Sequence, residues 1–206
     1  MGRLGIVLLL VLISGFGAPA AQAGGVEVTP AAATEVNVTT DSAPGWVPSP
    51  AQRQNVLQVA GRYLEAVAAG RYADAYNLQS GTSRRGETLE SFSRRSQELA
   101  AQAGALAFWR LTKVTWTKDP GRAPAPGIYV AVDLVARFAN IDRFCGYLVL
   151  YQPPAGGAFG IIRQESNYVD NATAQRIEAE RSKAELDRAW SQLAANCPNY
   201  VAPQGE

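Results

Sequence analysis

The sequence predicts an α+β fold, in which N-terminal helices pack on a curved, cone-like, four-strand antiparallel sheet and one more helix follows at the C-terminus. Two observations carry this prediction. Residues 127–170 alternate runs of β-branched and aromatic residues with breaks of Gly, Pro, Asn and Asp, which is the pattern of consecutive hairpins. Apolar residues recur at helical spacing in residues 49–103 and again from residue 172 to about residue 196.

Three helices are predicted before the sheet. Ser49 supplies a capping hydroxyl and Pro50 occupies the first helical position, while Gly70 ends the same helix. Thr88 is the predicted cap of the third helix. The predicted helices span residues 49–70, 71–78 and 88–103, with a loop at residues 80–86.

Alternation with period two predicts four strands. The ranges are Phe108–Thr117, Ile128–Ala139, Arg143–Tyr151 and Phe159–Tyr168. In the second of these strands the even-numbered residues are apolar and form a face that packs on helices. Tyr129, Asp133 and Arg137 share the other face, whose mixed character predicts a surface that is partly wet or lines a cleft.

The last predicted helix follows an Asp170-Asn171 cap. One face of this helix carries Leu186, Trp190, Leu193 and Cys197, so its second half should pack on the domain. The first half carries charge pairs at i, i+4 and should be solvated. A lone docking helix is the main expectation, and a coiled-coil partner is the alternative.

The first 23 residues have the pattern of a secretory signal peptide. Arg3 precedes the apolar run Ile6–Ile13, and Ala21-Gln22-Ala23 places small residues at the cleavage positions. We therefore expect a periplasmic or secreted protein that has no membrane span after cleavage. The expected organisation is a signal peptide (1–23), a disordered linker (24–48), a cone-like domain (49–170), and a C-terminal helix and tail (171–206).

Composition excludes several classes of function. The chain has no histidine, which excludes Ser-His-Asp and Cys-His catalysis and histidine-ligated zinc. The 19 basic and 18 acidic residues include one charge, Arg3, before Gly24, so the mature chain would be neutral. A neutral domain lacks the charge that nucleic-acid binding requires. We expect no metal and no cofactor.

The chain has two cysteines, Cys145 and Cys197. In an exported protein such a pair predicts a disulfide, here between a strand and the end of the last helix. Closing that loop would stabilise the fold by about 4 kcal/mol in the entropic model. The alternative is two buried free thiols.

Asp133 is the candidate for chemistry, with Tyr129 and Arg137 beside it as candidate ligand-binding residues. A carboxylate in a cleft can be tuned for proton transfer, so Asp133 could act as a general base. The structural alternatives are an ion pair with Arg137 or Arg163, or a solvated sheet face.

Several short motifs carry a family resemblance. The segment Arg62–Tyr76 resembles the opening of nuclear-transport-factor-two-like domains, the curved cone of cystatin-like proteins. Pro126-Gly-Ile-Tyr129 and Phe138-Ala-Asn140 resemble the bacterial exported domain-of-unknown-function family four-zero-one-nine, over roughly Gln54–Asp170. The resemblance implies a fold in which helices pack into a concave sheet, and it implies no agreed activity or catalytic residue.

The leading expectation is therefore a non-catalytic periplasmic module that binds a small ligand or an envelope protein partner. The first alternative is a small hydrolase, isomerase or lyase that uses Asp133 as general base. The second is a structural adaptor that acts through the C-terminal helix.

Overall fold

Helices precede and follow a five-stranded sheet in this chain, of which the computed structural model describes residues 35–38 and 45–194. The predicted signal peptide and Cys197 lie outside the described residues. The helices are α1 (Pro50–Ala68), α2 (Tyr72–Asn77), α3 (Gly81–Gly86), α4 (Leu89–Ala103), α5 (Asn171–Glu180) and α6 (Lys183–Ala194). The strands are β1 (Glu35–Val38), β2 (Leu106–Lys118), β3 (Ile128–Phe138), β4 (Ile141–Gln152) and β5 (Gly160–Asp170).

The strands lie in the order β1-β2-β3-β4-β5, and the sheet is not closed. β2 to β5 form four consecutive antiparallel strands, which confirms the predicted α+β class and its four-strand sheet. Each antiparallel pair contains a register shift, and such bulges bend the strands that carry them. β1 pairs in parallel with β2, although the sequence placed residues 35–38 in a linker.

Local capping sets the helix boundaries. Ser49 Oγ accepts from the Gln52 amide, and the Gln52 side chain accepts from the Ser49 amide in return, so the predicted start of α1 is confirmed. Two predictions are wrong. The predicted loop at residues 80–86 contains α3, because the Ser80 hydroxyl caps it. The predicted single C-terminal helix is two helices, because Ser182 Oγ accepts from the Glu185 amide and starts α6.

We define the inner face of the sheet as the face that packs against α1 and α4. Its core consists of large apolar side chains from both layers, the fully buried ones including Val56, Tyr63, Phe92, Trp116, Val130, Val132, Leu148 and Leu150. Tyr63 and Phe92 approach to 6.4 Å between ring centroids, and Trp116 meets Phe159 edge-on at 5.9 Å. Large side chains of the helices and the sheet therefore pack directly against each other.

The opposite, outer face carries the residues of β3 and β4 that alternate with the core, and α6 covers part of it. Cys145 of β4 is buried against Trp190 and Ala194 of α6. Arg143, 7% exposed, forms an ion pair of 2.7 Å with Asp187 of α6. The second half of the C-terminal region therefore packs on the domain, as predicted. Leu193 was expected on the buried face, but it is 41% exposed.

Candidate functional site

Asp133 lies on the outer face and is 1% exposed. Its neighbours across the sheet are Lys113 in β2 and Tyr147 in β4. Tyr129 and Arg137 lie four residues away in opposite directions along β3, about 13 Å each at the rise of an extended strand. Tyr129, Asp133 and Arg137 therefore lie on the same face of the sheet, but they are too far apart along β3 to form one binding site.

The two flanking candidates have separate surroundings. Tyr129 stacks against Tyr151 with ring centroids 4.8 Å apart, and its hydroxyl donates to the Ala125 carbonyl at 2.8 Å. Arg137 is exposed and lies opposite Phe108 of β2. Tyr129 thus secures the turn before β3.

Beside Asp133, Tyr147 is part of a polar cluster with Arg163 and Glu165 of β5. The Tyr147 hydroxyl donates to Glu165, which also accepts from Arg163, and the Arg163 guanidinium lies 5.8 Å from the centre of the Tyr147 ring. These two hydrogen bonds lower the pKa of Glu165, so this carboxylate stays ionised and is a weak base. Burial raises the pKa of Tyr147, and the hydrogen bond to Glu165 and the charge of Asp133 add to that rise.

The inner face contains a buried polar contact that the sequence did not reveal. The Tyr63 hydroxyl, on a side chain that is 0% exposed, donates to Gln164 Oε1 of β5 and also bonds the Gln79 side chain. Burial raises the pKa of Tyr63 well above its ordinary value of 10.0. This hydroxyl is a permanent hydrogen-bond donor and ties α1 to β5.

A cleft of about 460 Å³ opens on the surface between α1 and α2. Its lining residues are Arg62, Ala66, Arg71, Asp74, Asn77 and Leu78. Two of them are basic, one is acidic, one is an amide and two are apolar. A cleft of this size is within the range of small-ligand sites, which combine apolar surface with a few polar groups.

The turn after α1 creates this cleft. Gly70 adopts φ 70°, and its amide donates to the Val67 carbonyl while the Arg71 amide donates to the Ala66 carbonyl. This pair of bonds is a Schellman motif, in which a left-handed glycine reverses the chain. Arg71 then starts α2, and its Nε lies 3.2 Å from Asp74 Oδ2.

Arg62 and Arg71 were not among the sequence-based candidates, since neither belongs to a recognisable motif. Gly70 predicted that the first helix ends in a turn, but it did not predict that a cleft forms there. Two other arginines near this region contact the protein itself. Arg95 forms two hydrogen bonds to the Glu87 carboxylate, and Arg84 donates to the Asn77 carbonyl.

Two further features bear on binding. No described helix is long and apolar enough to cross a membrane. Residues 35–38 and 45–194 contain no cluster of three His, Cys, Asp or Glu side chains that could hold a metal ion. The predicted Cys145–Cys197 disulfide stays a prediction, because Cys197 lies outside the described part of the chain.

The family model described as "Protein of unknown function (DUF4019)" matches residues 59–162, which is half of the chain. The chain belongs to this family. The DUF4019 match runs from Val59 in α1 to Ile162 in β5, so it includes the cleft and Asp133 and leaves out α5 and α6. It confirms the narrower predicted resemblance, while the wider one to nuclear-transport-factor-two-like domains stays a prediction. No curated protein and no solved structure matches the chain.

Proposed function

We propose that this DUF4019 protein is an exported, non-catalytic module that binds a small ligand in the cleft between α1 and α2. One observation carries the proposal. Large side chains pack directly against each other on the inner face, whereas the cleft offers about 460 Å³ beside two arginines and an amide. A preformed cleft with a few convergent polar groups is the usual form of a small-molecule site.

Export is the part of the proposal that rests on sequence. The apolar run Ile6–Ile13 and the Ala21-Gln22-Ala23 segment are typical of a cleaved signal peptide. Periplasmic or secreted location would place the module among envelope components, and an envelope protein could supply or receive the ligand.

A non-catalytic role is favoured by the chemistry of the cleft. Arg62 and Arg71 present guanidinium N–H donors and Asn77 presents an amide, so these groups can bind and orient a ligand through hydrogen bonds. Asp74 is an exposed carboxylate paired with Arg71. None of the lining residues is a serine, threonine, cysteine or histidine, the side chains that most often attack or deprotonate a substrate.

Two alternatives have other sites. An enzyme that uses Asp133 as general base would need a substrate to reach the outer face, where this side chain is 1% exposed. A structural adaptor would act through the exposed, charged side of α5, where Arg176 and Glu180 pair at 3.6 Å. Both are outcomes of the experiment that follows.

The test is a nuclear magnetic resonance titration of the ¹⁵N-labelled mature protein with a library of small acids, amines and neutral sugars. We expect shifts of the backbone amides of Arg62, Ala66, Asp74 and Leu78. Asn77→Trp should block these shifts by filling the cleft, whereas Ala73→Trp, on an exposed position of α2 that does not line the cleft, should preserve them. Shifts around Asp133 instead would favour the enzyme, and a library without any binder would overturn the proposal.

A further inference from the structure

We infer that the ligand of the cleft is a small carboxylate with a short hydrocarbon part, bound through Arg62 and Arg71. The inference rests on the proposed function, because it names the ligand class of the same site. Four properties of the lining residues support it: their net charge, the accessible N–H donors of Arg62, the apolar lining and the ion pair of Arg71 with Asp74.

The first property is charge. Among the lining residues Arg62 and Arg71 are cations and Asp74 is the one anion, so the cleft has a net charge of one positive unit. A monoanion restores neutrality, whereas a cation would be repelled. A guanidinium presents its N–H groups as a planar fork that matches the two oxygens of a carboxylate.

Arg62 is the residue best able to accept this ligand. It lies on α1 with its side chain exposed, and within the described residues it makes no ion pair and no side-chain hydrogen bond. Its donors are therefore accessible without breaking a protein contact.

The apolar lining selects among anions. Leu78 is half-buried and supplies most of the apolar surface of the cleft, since the other apolar lining residue, Ala66, is 2% exposed. A strongly hydrated inorganic anion gains nothing from such surface, but a hydrocarbon chain attached to a carboxylate is stabilised when water is removed from it. The cleft therefore fits an organic acid better than phosphate.

Arg71 is already paired within the cleft. Its contact with Asp74 has both partners exposed, at 55% and 64% of their side-chain surface, so it is a weak ion pair. A bound carboxylate would take the place of Asp74 beside Arg71. Asp74 is then an internal competitor of the ligand, and its removal should strengthen binding.

The probes are butyrate, its uncharged analogue butyramide, and inorganic phosphate, each titrated into the ¹⁵N-labelled mature protein at low salt. We expect butyrate to shift the cleft amides at lower concentration than either of the others. Arg62→Gln should weaken butyrate binding about tenfold, as expected for loss of a charge-assisted hydrogen bond. Asp74→Asn should strengthen it about threefold, which corresponds to removal of an exposed ion pair.

Arg53→Gln is the matched control, since Arg53 is an exposed arginine of α1 that does not line the cleft, and butyrate affinity should not change. Equal binding of butyramide and butyrate would overturn the inference and leave the proposed small-ligand function standing. Tighter binding of phosphate would overturn the carboxylate assignment. Weaker butyrate binding in Asp74→Asn would contradict the role of Asp74 as a competitor of the ligand. Binding of none of the three probes would overturn the inference. The proposed small-ligand function is tested separately by the library titration.

Discussion

Asp133 is a carboxylate that folding removes from water. It is 1% exposed, and its neighbours in the register are Lys113 and Tyr147. A buried carboxylate costs free energy unless its surroundings compensate its charge, and we therefore expect Asp133 to have a structural role in the sheet. The Asp133 charge also contributes to the raised pKa of Tyr147, after burial and the hydrogen bond to Glu165.

We predict that Asp133→Asn lowers the free energy of unfolding by about 1–3 kcal/mol, because the amide cannot replace the carboxylate toward its neighbours. Urea denaturation followed by circular dichroism measures the change. Glu98→Gln is the control, since Glu98 is exposed, and it should stay within about 0.5 kcal/mol of the parent protein. A general base would show the opposite pattern, namely unchanged stability together with loss of a measurable turnover.

Tyr63 makes stability depend on pH in the alkaline range. Burial raises its folded-state pKa above 10.0, so above pH 10 the unfolded chain releases a proton that the folded chain keeps. Its contribution is therefore fully present below pH 10 and is lost as pH rises further. At pH 11 the loss should be about 1.4 kcal/mol relative to pH 8.

The measurement is the urea midpoint of the parent protein and of Tyr63→Phe at both pH values. The variant should be less stable at pH 8, since Gln164 and Gln79 lose their partner, and its further loss at pH 11 should be smaller by about 1.4 kcal/mol. Parallel losses in the two proteins would show that the Tyr63 hydroxyl does not carry the effect.

At the scale of elements, the start of β3 depends on one glycine. Gly127 has φ 142°, and a Cβ there would lie 2.6 Å from the Gln152 carbonyl oxygen of β4. Its amide donates to Asp119 Oδ1 at 2.7 Å, which closes the proline-rich connection between β2 and β3. The close approach of two backbones at this point therefore requires glycine.

We predict that Gly127→Ala costs about 1–3 kcal/mol of unfolding free energy, from backbone strain and the contact with a carbonyl that cannot move aside. Gly121→Ala, in the same connection, is the matched control, because a Cβ at Gly121 meets nothing within 4 Å. Chemical denaturation compares the two. Equal free energies of unfolding for Gly127→Ala and Gly121→Ala would mean that β3 and β4 can move apart at Gly127 with little loss of stability.

Contacts on the outer face of the sheet attach α6 to the domain. Cys145, Trp190 and Ala194 are buried together, and the Arg143–Asp187 ion pair adds a polar contact. Cys197 follows Ala194 by three positions in the sequence. A disulfide from Cys145 to Cys197 would hold α6 on the outer face.

We predict that reduction of the native protein speeds hydrogen exchange in α6 first, while exchange in β3 and β4 is unchanged, because few other contacts hold this helix. The Cys197→Ser variant should behave like the reduced protein without any reductant. Alkylation of both thiols in unreduced native protein would disprove the disulfide, and Cys145 would then be a small core residue.

At the scale of the whole molecule, the sequence predicts a signal peptide that is removed before the chain folds. We predict that the native protein begins at Gly24, because the Ala21-Gln22-Ala23 segment provides a cleavage site after a short apolar run. Intact-mass spectrometry of protein isolated from the envelope fraction gives the answer. A mass that includes Met1, found in the membrane fraction, is the contrary result.

Local chemistry explains which parts of the fold the sequence could predict. Ser49, Thr88 and Asp170 each cap the helix expected of them, because a cap needs only a hydroxyl or carboxylate and the amide three residues later. The caps of α3 and α6 use the same chemistry. Ser80 lies among polar residues without an apolar stripe to mark the helix, and Ser182 lies inside a stretch whose pattern predicted one continuous helix.

By itself, the sequence determined the α+β class, the four antiparallel strands and the family, because alternation, turn residues and caps act over a few positions. Only the tertiary structure decided three things. It paired β1 with β2 across 78 positions of the sequence, separated Tyr129, Asp133 and Arg137 along one strand, and brought Arg62 and Arg71 to one cleft. These arrangements depend on how helices and strands pack against each other, and packing joins residues whose separation in the chain leaves no periodic signal.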